Sequence, residues 1–316
     1  MITTLLLGCN LFNSTTDTGV KTTDTVADST PTTETGFSDP IYFTKYKVEV
    51  ASTLRGVYSS GNGVYIVGTR GQAWVGSATD PWAVVALPLE VAGADAYSLW
   101  GNGVDATLEL AVAMEDGWVA TYTGGVWTAT SLGAGDNRGV GGTTLTNLFA
   151  VGENGIQHWD GTAWTLEAEP TVDMNAVYAY DGGALACGAE GNILKRGESG
   201  VWEATVTNKV ANFYGVDGTG ATDIWAVGDQ GIILHWDGAS WRQTTTDSYE
   251  TLRAVYAFAP DAALAVGNNG AALSWDGTEW TVLNSDTHQN LYAVHGVSGV
   301  NAWVVGDGGL ASQYKP

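Results

Sequence analysis

Apolar and polar positions fall into short runs separated by glycine-rich turns. In residues 223–241 an apolar run, Ile224 to Val227, stops at Gly228-Asp229-Gln230-Gly231; a second, Ile232 to Trp236, stops at Asp237-Gly238, and Trp241 opens a third. Runs this short do not make helices, and Asp-Gly supplies the positive φ angles of a tight hairpin, so the pattern predicts strand, hairpin, strand, hairpin, strand. The same phrase recurs at 149–164 and 264–280 and, with more changes, at 185–202.

The second glycine of the turn sets the period. It falls at Gly71, Gly117, Gly155, Gly191, Gly231, Gly270 and Gly309, with separations of 36 to 46 residues. Seven copies of about forty residues, each with about four short strands and no 3.6-residue apolar period, predict an all-β chain: a seven-bladed β-propeller of four-stranded antiparallel blades over 41–316. The seventh copy stops after its third strand. Tyr46 to Val50 precedes the first inner strand as Trp280 to Leu283 precedes the last, so this N-terminal segment is expected to complete the final blade and remove a raw edge. The third copy is one residue short between Gly155 and Trp159, which predicts an irregular turn or a bulge there. Trp82, Trp127, Trp164, Trp202, Trp241 and Trp280 each open an outer strand and are expected to be packed aromatic anchors.

The 316 residues are 44% hydrophobic, enough for a substantial core, and carry a net charge of −22. That charge repels phosphate backbones, so a nucleic-acid partner is not expected. There are two cysteines, too few for a disulfide framework. Cys187 stands where sister copies have valine and reads as a buried small hydrophobe. Cys9 closes the opening MITTLLLGC, and residues 10–40 are rich in Thr, Ser and Asp with hardly a large apolar side chain between Phe12 and Phe37. Such a segment cannot build a core and is expected to be a disordered tether reaching roughly 30 Å.

Several resemblances follow from these residues. MITTLLLGC resembles the lipobox of bacterial lipoproteins, which implies cleavage before Cys9, lipid attachment to it, and a signal over 1–9; no Lys or Arg precedes the apolar stretch, which leaves room for a start upstream. Asn10 in place of an aspartate after Cys9 points to the outer membrane. The WDGxxW phrases at 159–164, 236–241 and 275–280 are similar to the Asp-box of sialidase-like propellers, without its preceding Ser or Thr and with one residue fewer between Asp and Gly. The whole repeat over 46–316, with its VGxxG turn, looks like the propellers of the photosystem II assembly and stability factor family and those of repeat-bearing lipoproteins from predatory or social bacteria.

No hydrolase elbow, phosphate loop, zinc-spaced His/Cys set or EF-type loop is present, and no cofactor is expected. His158 and His235 read as repeat consensus, and Asp217 to Asp223 as a hairpin turn in preference to a calcium loop. One column stands out. The second position of the seven inner strands holds Arg55, Tyr97, Arg138, Asn175, Tyr214, Arg253 and Tyr292, including three of the six arginines. Propeller geometry gathers these around one mouth of the central channel, where guanidinium forks suit a carboxylate or phosphate. The photosystem factor resemblance implies an arginine patch in the same region. Against a binding role, the VGxxG turns on that face carry Glu153, Glu190, Asp229 and Asp307, which could neutralise the arginines. The expected function is a non-enzymatic, membrane-tethered, monomeric propeller binding a protein or peptide, anionic where it meets the arginines. The alternatives are a glycan-binding propeller, favoured by exposed tryptophans, and a sialidase-type hydrolase, for which the arginines of blades one, three and six are poorly grouped.

Overall fold

The computed structural model describes residues 42–48 and 52–315, so the assignments made for 1–9, including Cys9, and for 10–40 lie outside the described residues. The repeat folds as its pattern dictates: Phe213–Gly220, Asp223–Gly228, Ile233–Trp236 and Trp241–Thr244 form one antiparallel four-stranded sheet. Seven such sheets follow one another as blades. The core lies between them. Leu185, Cys187 and Ile193 of blade four pack against Phe213, Val216 and Ile224 of blade five, and equivalent clusters fill the other blade interfaces. Cys187 is fully buried, and burial pushes its thiol up to about 12, so it is an inert part of that core.

The last blade is closed from the N-terminus. Phe43–Lys47 pairs antiparallel with Leu310–Tyr314, with Phe43 opposite Tyr314 and Tyr46 opposite Ala311. The strand therefore begins three residues earlier than the Tyr46 to Val50 segment expected from the repeat alignment. Aromatic packing sets this register. Phe43 and Tyr42 meet Tyr314 at centroid distances of 5.2 and 6.3 Å, Tyr46 meets Trp303 at 5.0 Å, and Val48 leaves the strand to be buried between blades seven and one.

The VGxxG turn has two constraints. The residue before its last glycine adopts a left-handed conformation in six blades, for example Gln230 with φ 57°. A Cβ on the following Gly231, itself at φ 70°, would stand 2.0 Å from the Ser248 carbonyl oxygen, so this glycine admits the next segment of chain as well as the turn. In blade three the missing residue is absorbed as expected: Gly152 pairs directly with Gly155, leaving the two-residue turn Glu153-Asn154, and the register to the outer strand shifts between Ile156 and Gln157.

The outer-strand tryptophans are packed, to different depths. Trp280 is buried, whereas Trp241 is half-buried, lies 5.5 Å from Trp236 and donates its Nε1–H to Thr205 at 2.9 Å. His158 and His235 pack within their blades. They stack on Phe149 at 4.5 Å and Trp225 at 4.2 Å and contact Glu167 and Asp223 respectively.

Candidate functional site at the channel mouth

All seven inner strands carry the same irregularity. The register to the second strand shifts between Leu54 and Gly56, Ala96 and Ser98, Asn137 and Gly139, Met174 and Ala176, Phe213 and Gly215, Leu252 and Ala254, and Leu291 and Ala293. The residue skipped each time is the one singled out in the sequence: Arg55, Tyr97, Arg138, Asn175, Tyr214, Arg253 or Tyr292. A bulge leaves one residue out of the ladder and re-aims its side chain. All seven, joined by Asp136, line one cavity of about 360 Å³ at the start of the inner strands. The next position is small because neighbouring inner strands nearly touch; a Cβ on Gly215 would lie 2.9 Å from the Cα of Ala254.

The three arginines are not equivalent. Arg138 meets Glu153 of its own blade at 2.8 Å and Asp173 at 3.1 Å, so its charge is balanced, as the opposing reading of the column expected. Arg253 donates from Nε to the neutral Asn268 side chain at 2.9 Å and lies 4.4 Å from the Tyr214 ring centroid. Arg55 lies 5.2 Å from the Tyr97 ring and 5.7 Å from the Tyr292 ring, and its buried Nε has no partner. Neither Arg55 nor Arg253 forms an ion pair among the described residues. The turn carboxylates are used elsewhere: Asp229 binds Asn212 at 2.9 Å, and Asp307 binds Asn290 and Thr53 at 3.0 Å each. Neutralisation by turn carboxylates therefore accounts for one arginine of three.

The remaining members set the rim. Tyr97 donates to Asp136 at 3.0 Å; burial first, and then that carboxylate, hold its phenol above the ordinary range. Asn175 donates to the Phe213 carbonyl at 2.8 Å and ties blade four to blade five. Blades six, seven and one thus present Arg253, Tyr292 and Arg55 side by side as a cationic arc. Asp136, unnoticed in the sequence, faces it from blade three.

A second group was also missed. Three residues further along each inner strand the copies carry Tyr58, Trp100, Gly141, Tyr178, Asp217, Tyr256 and His295, a column legible in the same alignment. Trp100, Tyr178, Asp217, Tyr256 and His295 line the channel below the mouth, in an adjoining cavity of about 360 Å³ that the seven bulge residues also line. The reading of Asp217 as part of a turn needs correction. The turn is Ala221-Thr222, and Asp217 sits in the strand, where its Oδ2 accepts the Ala257 N–H at 2.8 Å. Among the described residues no cluster of three or more His, Cys, Asp or Glu could hold a metal ion.

No protein-family model matches the chain, and no curated protein matches its sequence. Solved structures match its fold. YCF48 bound to a D1 peptide superposes with a TM-score of 0.71 at 15% identity, covering 88% of this chain and 100% of that one. YCF48 from Cyanidioschyzon merolae gives 0.69 at 15%, covering 87% and 99%. A catalytically inactive virginiamycin B lyase from Staphylococcus aureus, with quinupristin, gives 0.67 at 10%, covering 87% and 99%. At these identities the likeness is one of fold: the chain is a seven-bladed β-propeller similar to peptide-bound and ligand-bound propellers.

Proposed function

We propose that this propeller is a non-enzymatic binding protein whose channel mouth takes a carboxylate-bearing peptide segment of a protein partner, in the manner of a scaffold or assembly factor. The observation that carries the reading is the pair Arg55 and Arg253, two guanidinium groups without carboxylate partners, held on tyrosine rings in a cavity beside Tyr292. In a chain of net charge −22 a half-buried, unneutralised pair of cations is a local anion site. Rings at their flanks hold the forks in place, so less side-chain freedom is lost on binding. The structural neighbour bound to a D1 peptide supports a peptide as the ligand.

None of the fourteen tryptophans is fully exposed, which favours a peptide over a glycan as the ligand. Two carboxylates at the mouth are engaged, Asp136 with Tyr97 and Glu153 with Arg138, and this supports a binding role over hydrolysis. Attachment to a bacterial outer membrane through a lipid on Cys9, with residues 10–40 as the tether and the propeller acting as a monomer, completes the proposal. Replacing Cys9 by Ser should move the protein to the aqueous fraction; a variant that stays with the membrane would count against the anchor. The binding reading is tested by titrating peptides with free and amidated C-termini into the parent and an Arg55→Ala/Arg253→Ala variant. Equal affinity of both proteins for the free-carboxylate peptides would overturn it.

A further inference from the structure

The channel has opposite chemistry at its two ends. At the bulged mouth stand Arg55 and Arg253. At the other end the hairpins joining inner to second strands carry Asp105, Glu109, Asp181, Asp223 and Asp261, and no lysine or arginine. Between them, roughly 10 Å along the inner strands from the arginine arc, lies Asp217. Its carboxylate is half-buried, lines the channel cavity, and forms no ion pair among the described residues. Tyr178 of blade four and Tyr256 of blade six flank it, and Trp100 lines the same cavity from blade two. His295 lies 4.4 Å from Tyr256, and its Nδ1 accepts the Ser59 N–H at 3.1 Å. The imidazole therefore carries its proton on Nε2 when neutral, and burial drives its pKa down to about 3, so it adds no positive charge to this zone.

One unpaired carboxylate among aromatic side chains does not suit a divalent metal, which needs several oxygen ligands. It does suit a cation that can trade water for π surface and phenol oxygens. We infer that the channel holds a second site, built by Asp217 with Trp100, Tyr178 and Tyr256, that binds an organic ammonium group entering through the acidic end. The acidic hairpins raise the local concentration of such a cation, and Asp217 fixes its charge. The site lies deeper in the channel than the arginine arc, whose residues line the upper part of the same cavity, and it binds the opposite charge.

The ammonium group could belong to a free amine or to a peptide lysine, so both probes are used. The parent is titrated by calorimetry with n-butylammonium, with N-acetyl-lysine methylamide and with n-butanol, at pH 8 and pH 5.5. At least one ammonium probe should bind with a Kd of about 1 mM or tighter, and n-butanol should not. Binding of n-butylammonium alone would identify a free amine as the ligand; binding of the lysine derivative alone would identify a peptide. The titratable and charged groups facing Asp217 are Tyr178 on blade four, Asp223 on its own blade, and Tyr256 and His295 on blades six and seven, with Arg55, Arg138 and Arg253 at the upper edge of the same cavity. Burial keeps the two tyrosines protonated and His295 neutral, so the pH response follows Asp217, whose pKa is raised to about 7, mainly by burial. Affinity should therefore fall about tenfold or more from pH 8 to pH 5.5. Asp217→Asn, which keeps the shape and an acceptor for the Ala257 N–H, should lose the binding at least tenfold. A carboxylate peptide titrated alongside reads the mouth independently, so either site can fail without the other. The inference is overturned if neither ammonium probe binds the parent, if Asp217→Asn binds as tightly as the parent, or if the affinity is the same at both pH values.

Discussion

The Arg253 guanidinium carbon lies 4.4 Å from the centroid of the Tyr214 ring, one blade away, and no carboxylate meets it. Arg138, three blades before Arg253 in the ring, shares its column in the repeat but is held by Glu153 and Asp173. The same position thus makes one stacked, uncompensated cation and one balanced surface ion pair. Arg253→Lys should lower affinity for a carboxylate peptide about tenfold, because an ammonium keeps the charge but not the planar fork that stacks and binds two oxygens. Arg138→Ala should change it less than about threefold, since that arginine is already paired. Calorimetric titration of the two variants separates them, and an Arg138 effect as large as that of Arg253 would contradict the assignment.

Ring closure makes a stability prediction. Phe43–Lys47 supplies a whole strand to blade seven, with Phe43 buried against Tyr314 and Val48 buried under blade one. A chain starting after Val48 loses this ladder and these side chains and should be destabilised by roughly several kcal/mol, a large part of a folded domain's margin. A chain starting at Asp39 keeps them and should melt like the parent. Thermal denaturation of both truncations provides the check; equal melting temperatures would place the closing contact elsewhere.

Two glycines with positive φ separate strain from crowding. Gly124 (φ 58°) has nothing within 4 Å of where a Cβ would stand, whereas at Gly231 (φ 70°) that atom would be 2.0 Å from the Ser248 carbonyl oxygen. Gly124→Ala should cost about 1 kcal/mol, from backbone strain alone. Gly231→Ala adds a clash with backbone that cannot step aside and should cost about 3 kcal/mol or more. Urea denaturation of the pair measures the difference.

Asp217 makes a prediction about pH. Its folded-state pKa is raised to about 7 by burial, against an ordinary carboxyl value of 3.8. The native state therefore holds a proton that the unfolded state has released between those values. Its contribution is fully favourable below pH 4, is lost as pH rises through 7, and is constant above. Asp217→Asn should leave stability at pH 3 unchanged and raise it at pH 8 by about 1–3 kcal/mol, the lower part of the range reflecting access of channel water to the carboxylate. Glu167 works the other way. Burial alone would raise its pKa, but hydrogen bonds from Arg196 and Trp202 outweigh burial and lower it. Its contribution is present at neutral pH and is lost as pH falls below the ordinary carboxyl range, so Glu167→Gln should destabilise at pH 7 and matter less at pH 3. Melting curves across this pH range test both signs.

Much of this molecule is determined by sequence alone, because the information is local. Short apolar runs, glycine-bounded turns and a forty-residue period specify strands, hairpins and seven blades without reference to any distant contact. The missing outer strand of the seventh copy identifies the closing segment, and the column from Arg55 to Tyr292 is visible because repeats place equivalent residues in equivalent sites. Tertiary structure decides what those equivalent residues become. The three-residue offset of the closing strand follows from Phe43 meeting Tyr314 and Val48 finding the gap between two blades, contacts spanning nearly the whole chain. Arg55 lies between Tyr97 and Tyr292 because the ring brings blades two and seven to either side of blade one, while Arg138 finds Asp173 across a blade boundary. Asp217 reads as turn chemistry in a linear chain and becomes a channel carboxylate because its strand continues to Gly220, into the segment expected to turn. Charge pairing and desolvation depend on which side chains meet across blade boundaries. Such meetings are set by closure of the ring and by the direction each bulge turns its residue, and neither is written in any single repeat.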